Sequence, residues 1–388
     1  MEKDYKPQLD TTLIFLMGIM VVASLFALKS VEPTLPPVLQ NINFMQKQLM
    51  WFVVGAIGIG ISLLIHFDYL RNLAWITYGM GVVLLLGLEF NVPSSFVSTI
   101  KGATSWYTLP GLGNIQPSEL MKISIILVLS KIIADHRAQY EVATLRDSYL
   151  LLGKIIAASS IPLFLVAKQP DMGTTLVYCA IIAAMILVSG IKWSIILSLV
   201  GAAIGFIALF LYIFIVHPTF FHTYLIPEYQ LDRFYGWLNP YEYQDVQGFQ
   251  LVRSLLAIGS GEYTGSGYGE MNVYLPEAHT DFIFAAIASQ FGFMGATVVI
   301  SLFFFLIYKI TFIAMECHDT YGTYLCAGVI GMLTFQVFQN IGMTIGLLPI
   351  TGIPLPFFSY GGSSLLTYMI AVGIVLNVQL RTRKYFFE

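Results

Sequence analysis

Seven consecutive residues, Pro276-Glu277-Ala278-His279-Thr280-Asp281-Phe282, put three titratable side chains within five positions. They end a long polar loop. The uncharged run from Ile283 to Ile307 follows at once and is long enough to cross a bilayer. A carboxylate at such a junction meets both water and anything anchored in lipid, and ionisable residues placed there are functional candidates. Asp281 is the first candidate for chemistry, as a base that takes a proton. His279 is a base, a ligand or a packed polar group.

The elements that must hold these residues are membrane helices. Of 388 residues, 57% are apolar and 11% are charged. Ten spans are expected, at 13–28, 49–65, 73–90, 119–134, 149–167, 172–190, 193–216, 282–308, 323–348 and 363–379. Backbone groups in lipid must pair internally, and ten-residue alternating strands are absent, so the fold class is an all-α integral membrane protein with ten transmembrane helices. It is a single polytopic domain, 1–388, with a large extracellular loop, 217–281, between helices seven and eight. The thirteen aromatic residues of that loop predict a folded cover with short interfacial helices, one of them near 246–258. Lys and Arg of the short loops divide eleven against four (Lys29, Lys47, Lys101 and Lys168), which places both termini in the cytoplasm. A signal-peptide reading of the first span would upset the even count. Cys179, Cys317 and Cys326 have no metal or disulfide spacing, and no basic stripe points to nucleic acid.

Under this topology four helices start on the outer face, each with polar residues. They open at Gln116-Pro117-Ser118-Glu119 with Lys122 behind, at Gln169-Pro170-Asp171, at Thr280-Asp281, and at Ser359-Tyr360-Gly361-Gly362-Ser363-Ser364. Each acid alone serves as a helix cap, and Glu119 and Lys122 at i,i+3 can simply pair. Four positive dipole ends together suit an anionic ligand such as a diphosphate, with Lys122 and Lys168 adding charge. The run Gly259-Ser260-Gly261-Glu262-Tyr263-Thr264-Gly265-Ser266-Gly267 is a flexible turn or a backbone cradle for phosphate. Asp171, Asp281 and Glu119 are the carboxylates that would jointly hold a divalent cation, Mg or Mn. The sequence leaves that open. Trp106 stands apart, in a glycine-rich external loop beside Lys101. Arg233 and Trp237 are expected to line a groove.

These segments resemble the SEDS family, whose members include RodA, FtsW and SpoVE. The resemblance covers nearly the whole chain. It is carried by Asn340 to Gly346, Leu348-Pro349, Gly352 to Pro356 and Ser359 to Ser364, a long and specific signature. Gly102-Ala-Thr-Ser-Trp106, Gln116 to Glu119, Lys122, Gln169 to Thr174, Ala257 to Gly261 and Leu275 to Phe282 support it. The neighbourhood Gly248 to Ser254 is closer to RodA than to FtsW. The resemblance implies a ten-helix peptidoglycan glycosyltransferase of the bacterial cytoplasmic membrane that polymerises lipid II into undecaprenyl-linked glycan, works with a class B penicillin-binding protein and serves cell elongation. The family's catalytic aspartate falls on Asp281. Substrate-binding positions fall on Trp106, Glu119, Lys122 and Asp171, and the outer constellation adds Lys168, His279, Thr280, Ser359, Gly361 and Gly362. Ser289-Gln290 stand where the family has two acids, and Glu262 and Ser266 depart from its glycine run.

Forming a β1,4 bond from an α-linked sugar diphosphate inverts one carbon and needs one base. The alternative reading is a flippase for the lipid-linked precursor, which would place charges along a path at mid-depth. Most spans carry none.

Overall fold

A computed structural model describes residues 9–65, 67–100, 103–109, 113–140, 144–169, 171–216 and 228–385. In chain order its helices are α1 Thr11–Val31, the single turn α2 Pro37–Gln40, α3 Phe44–Leu64, α4 Phe67–Glu89, α5 Pro117–Gln139, α6 Leu145–Lys168, α7 Met172–Val188 and α8 Trp193–Val216. They continue as α9 Glu228–Leu238, α10 Phe249–Ser260, α11 Ile283–Glu316, α12 Thr320–Thr344 and α13 Gly362–Tyr385. Eight of these are long and apolar enough to cross a membrane. The other two expected spans are α7, with 17 residues, and α5, whose Glu119, Lys122, Lys131 and Asp135 lower its hydropathy. The ten expected spans are thus all helical, and α10 is the expected short helix of the long loop. Lys101, Pro170 and loop residues 217–227 lie outside the described residues.

The last helix forms the centre of the bundle: 83% of its most apolar window is buried, against 11% for α8, which faces lipid. Small residues let α13 come close to α3. A Cβ added at Gly55 would lie 2.6 Å from Met369 Cγ, and one at Gly373 would lie 3.0 Å from Ile59 Cα. Close approach of this kind supplies the packing that lipid-soluble helices otherwise lack.

Two features depart from simple helical rhythm. The segment before α5 is a three-stranded antiparallel meander, β1 Val97–Ile100, β2 Ala103–Leu109 and β3 Gly113–Ile115, with Ser98 opposite Trp106 and Tyr107 opposite Ile115. Its β-branched and aromatic residues suit a half-buried pleated surface. The second departure is in α11, which breaks at Gly292 (φ 62°, ψ −159°).

The glycine run docks on that break. Ser266 and Gly267 N–H donate to the carbonyls of Ser289 and Gln290 at 3.0 Å each, and Phe293 N–H donates to Glu262 O at 2.9 Å. Groups orphaned by the break are therefore paired. The glycines are needed for approach: a Cβ on Gly261 would sit 2.0 Å from Ala288 O, and one on Gly265 2.1 Å from Gln290 O. Two amides of the run, those of Ser266 and Gly267, are thus committed to α11, and those of Gly261, Glu262 and Gly265 donate to the Ile258, Gly259 and Gly261 carbonyls. Ser289 and Gln290 are buried at the same break, where Gln290 Nε2 donates to Ser30 O on α1 at 3.1 Å.

Candidate active site

The start of α5 is held by two neighbours. Gln116 N–H donates to Ser363 Oγ at 3.0 Å, and its side-chain amide donates to Asp171 Oδ2 at 2.8 Å. Asp171 in turn caps α7, accepting from Thr174 N–H at 2.9 Å. Behind the cap, a Cβ on Gly173 would come within 2.9 Å of Thr351 O, so α7 abuts the segment before α13. The other side of that segment meets Asp281: a Cβ on Gly352 (φ +75°) would lie 3.6 Å from Asp281 Oδ2.

The residues leading into α11 are held through three successive carbonyls, two by the same segment and one by α12. His279 O accepts from Tyr360 N–H at 2.9 Å, Thr280 O from Ser359 Oγ at 2.7 Å, and Asp281 O from Asn340 Nδ2 at 2.8 Å. The starts of α5, α7, α11 and α13 thus gather at one end of the bundle, as the sequence predicts.

Beside them opens a cleft of about 730 Å³. Trp51, Trp106 and Tyr360 give it aromatic walls, Lys47 a cation, and Ser363 and Ser364 hydroxyls at the start of α13. Gly362 must be glycine here, since a Cβ would lie 2.1 Å from the Trp51 ring. Of the expected site residues, Trp106, Gly361 and Gly362 line the cleft. Gln116, marked in sequence as a helix start, also lines it, as do Lys47 and Trp51, which carry no comparable signal apart from their i,i+4 spacing at the start of α3. Burial pushes the Tyr360 phenol above its usual range, so it stays a neutral hydrogen-bonding group.

Other expected positions are placed differently. Lys122 Nζ lies 2.7 Å from Glu119 Oε1, and both side chains are buried in the bundle, so the ammonium is not presented to the cleft. Lys168, half exposed, pairs with Glu89 at 2.7 Å and is also absent from the cleft wall. Ser359 is 4% exposed; its oxygen donates to Thr280 O and accepts from Leu355 N–H at 2.8 Å, which leaves it holding backbone rather than meeting a ligand. His279 packs against Phe44 with ring centroids 4.4 Å apart, and Thr280 Oγ1 donates to Glu277 Oε2 at 3.0 Å. Arg233 and Trp237 donate to Ile350 O and Gly346 O at 3.2 and 2.9 Å, covering the loop before α13.

Among the described residues no group of three or more His, Cys, Asp or Glu side chains is arranged to hold a metal ion. Glu119 is committed to Lys122, and Asp171 to Gln116 and its own helix. The joint site of Asp171, Asp281 and Glu119 is not assembled among the described residues.

A family profile for FtsW, RodA and SpoVE, described as cell cycle protein, matches residues 8–384. A probable peptidoglycan glycosyltransferase FtsW of Geobacter sp. (strain M18) is 34% identical over 349 residues, 88% of either chain. Stage V sporulation protein E of Bacillus subtilis (strain 168) is 34% identical over 347 residues, 88% of this chain and 86% of its own. Among solved structures, a peptidoglycan synthase complex coordinating polymerization and crosslinking aligns with TM-score 0.75 and 27% identity, over 96% of this chain and 98% of that one. The rod shape determining protein RodA of Thermus thermophilus aligns with TM-score 0.65 and 25% identity, over 96% of each.

Proposed function

The chain belongs to the FtsW/RodA/SpoVE family, and on that footing we propose that it is a peptidoglycan glycosyltransferase, polymerising lipid II at the outer face of the cytoplasmic membrane. The observation that carries this reading is the setting of Asp281: a carboxylate among four helix starts, in a run whose three successive carbonyls are pinned. Asp281 does not itself line the aromatic-walled cleft, but Tyr360, which does, holds the carbonyl of His279 two residues before it.

The chemistry follows from that setting. The acceptor hydroxyl oxygen attacks the anomeric carbon of the donor sugar, and the carbon–oxygen bond to the diphosphate breaks. The diphosphate leaves with that electron pair, and Asp281 takes the hydroxyl proton. A positioned base is worth about 10²–10⁴-fold. One displacement inverts the carbon, and no covalent enzyme intermediate is needed. Preorganised positive ends of the gathered helices, with Lys47, steady the developing charge on the leaving group. Trp51, Trp106 and Tyr360 offer flat apolar faces to sugar rings.

The finer assignments rest on sequence. The similarity of Gly248–Ser254 to RodA supports a role in elongation with a class B penicillin-binding protein, and the Lys and Arg distribution supports cytoplasmic termini. Restoring shape to a rod-shape mutant rather than division to a filamenting mutant tests the former.

The direct test is polymer formation from lipid II by the purified chain in detergent, with and without a divalent cation and a class B penicillin-binding protein. Asp281→Asn is expected to abolish glycan synthesis while unfolding at the parental temperature. Normal synthesis by that variant ends the assignment. Polymer made in detergent, where there is no membrane to cross, also separates the enzyme from a flippase.

A further inference from the structure

We propose that Asn340, near the end of α12, is the positioning residue for Asp281; this rests on reading Asp281 as the base. Asn340 is fully buried, and its amide nitrogen lies 2.8 Å from Asp281 O and 2.8 Å from Ile353 O. Both acceptors are carbonyls, so the nitrogen end of the amide must face them. Its two N–H groups are then fully used.

Asp281 O accepts this bond from outside its own helix. The helical ladder of α11 begins one residue later, with Ala286 N–H on Phe282 O, and Phe282 itself is non-helical (φ −107°, ψ 22°). The second acceptor, Ile353 O, belongs to the segment whose Gly352 approaches the Asp281 carboxylate. One side chain therefore ties the base's backbone to the wall it faces. Ser359 and Tyr360 hold only the two residues before it. Without Asn340 the bridge between Asp281 O and Ile353 O is lost, and the carboxylate can shift relative to the wall it faces.

Asn340 touches no reacting atom, so its removal acts on turnover through geometry. A displacement near 1 Å at a reacting group costs about 100-fold in rate. Asn340→Ala is expected to lower kcat per folded molecule by about that factor, with KM for lipid II little changed. Asn340→Ser, which keeps one donor, is expected to fall between Asn340→Ala and the parent. It also carries the comparison if Asn340→Ala proves too unstable to purify. Folded protein is counted by size-exclusion profile and thermal unfolding, so loss of fold is separated from loss of rate.

Parental kcat per folded molecule in these variants, or a rise in KM without a fall in kcat, overturns the proposal. Asp281→Asn assayed alongside keeps the two failures apart. If it polymerises normally, the base assignment fails. If it is inactive while Asn340→Ala and Asn340→Ser turn over like the parent, only the positioning role fails.

Discussion

The Lys122 ammonium lies 2.7 Å from Glu119 Oε1, and the two side chains are 1% and 5% exposed. The pair sits in the first turns of α5, inside the bundle. Two charges removed from water in this way are stable only together. Lys122→Met leaves a carboxylate stranded and is expected to destabilise the protein by about 3–5 kcal/mol, with Glu119→Gln/Lys122→Met recovering much of the loss. Thermal unfolding in detergent measures both. A Lys122→Met protein that melts like the parent but makes no polymer would assign the ammonium to substrate instead.

Lys168 gives the opposite expectation. Its pair with Glu89 is exposed at the lysine end, and such pairs contribute about 0–1 kcal/mol. Lys168→Gln is expected to leave unfolding temperature and polymer yield unchanged. A large loss of yield would show that the side chain reaches substrate despite its distance from the cleft wall.

Glycines of the docking loop separate by what surrounds them. Gly265→Ala places a methyl on the Gln290 carbonyl and also strains a residue with φ +85°, so refolding of the loop or loss of the α11 break must follow. A drop of roughly 3 kcal/mol or more is expected, as for other severe overpacking and backbone strain. Gly259→Ala, inside α10 with nothing within 4 Å of the new methyl, is expected to stabilise by up to about 1 kcal/mol through helix propensity. Equal melting temperatures for the two variants would contradict the docking.

The cleft is tested through Gly362. In Gly362→Ala the new methyl and the Trp51 ring cannot share their space, so the indole must swing into the cleft or away from it. Polymerisation is expected to fall mainly through a raised KM, while Trp51→Ala combined with Gly362→Ala relieves the clash and restores the melting temperature. Unchanged kinetics in Gly362→Ala would remove the Trp51 wall from substrate binding.

Much of this was legible along the chain. Lipid demands long apolar runs with internally paired backbones, so spans could be read directly from hydropathy, and α5 was recoverable in spite of its charges because Pro117 and Glu119 mark its start. The gathering of four helix starts followed from alternation of direction across ten spans. Asp281 stood out because a carboxylate directly before an apolar run is costly to place without a purpose.

Three things needed the folded chain. Lys47 and Trp51 join Gly362 only because glycines let α3 and α13 pack closely, and no local pattern encodes a contact across some three hundred residues. The break at Gly292 is invisible to hydropathy, which reports burial and not backbone angle; it exists because the glycine loop supplies the missing hydrogen bonds. The use of Lys122 and Ser359 was also undecided in sequence, since a polar residue at a helix start serves ligand or protein equally well. Packing places their partners, Glu119 and the Thr280 carbonyl, within hydrogen-bond reach and buries both side chains. Local chemistry thus determined which residues stand at the lipid boundary, whereas long-range packing decided which of them keep a free face, because burial is a property of neighbours and not of the residue itself.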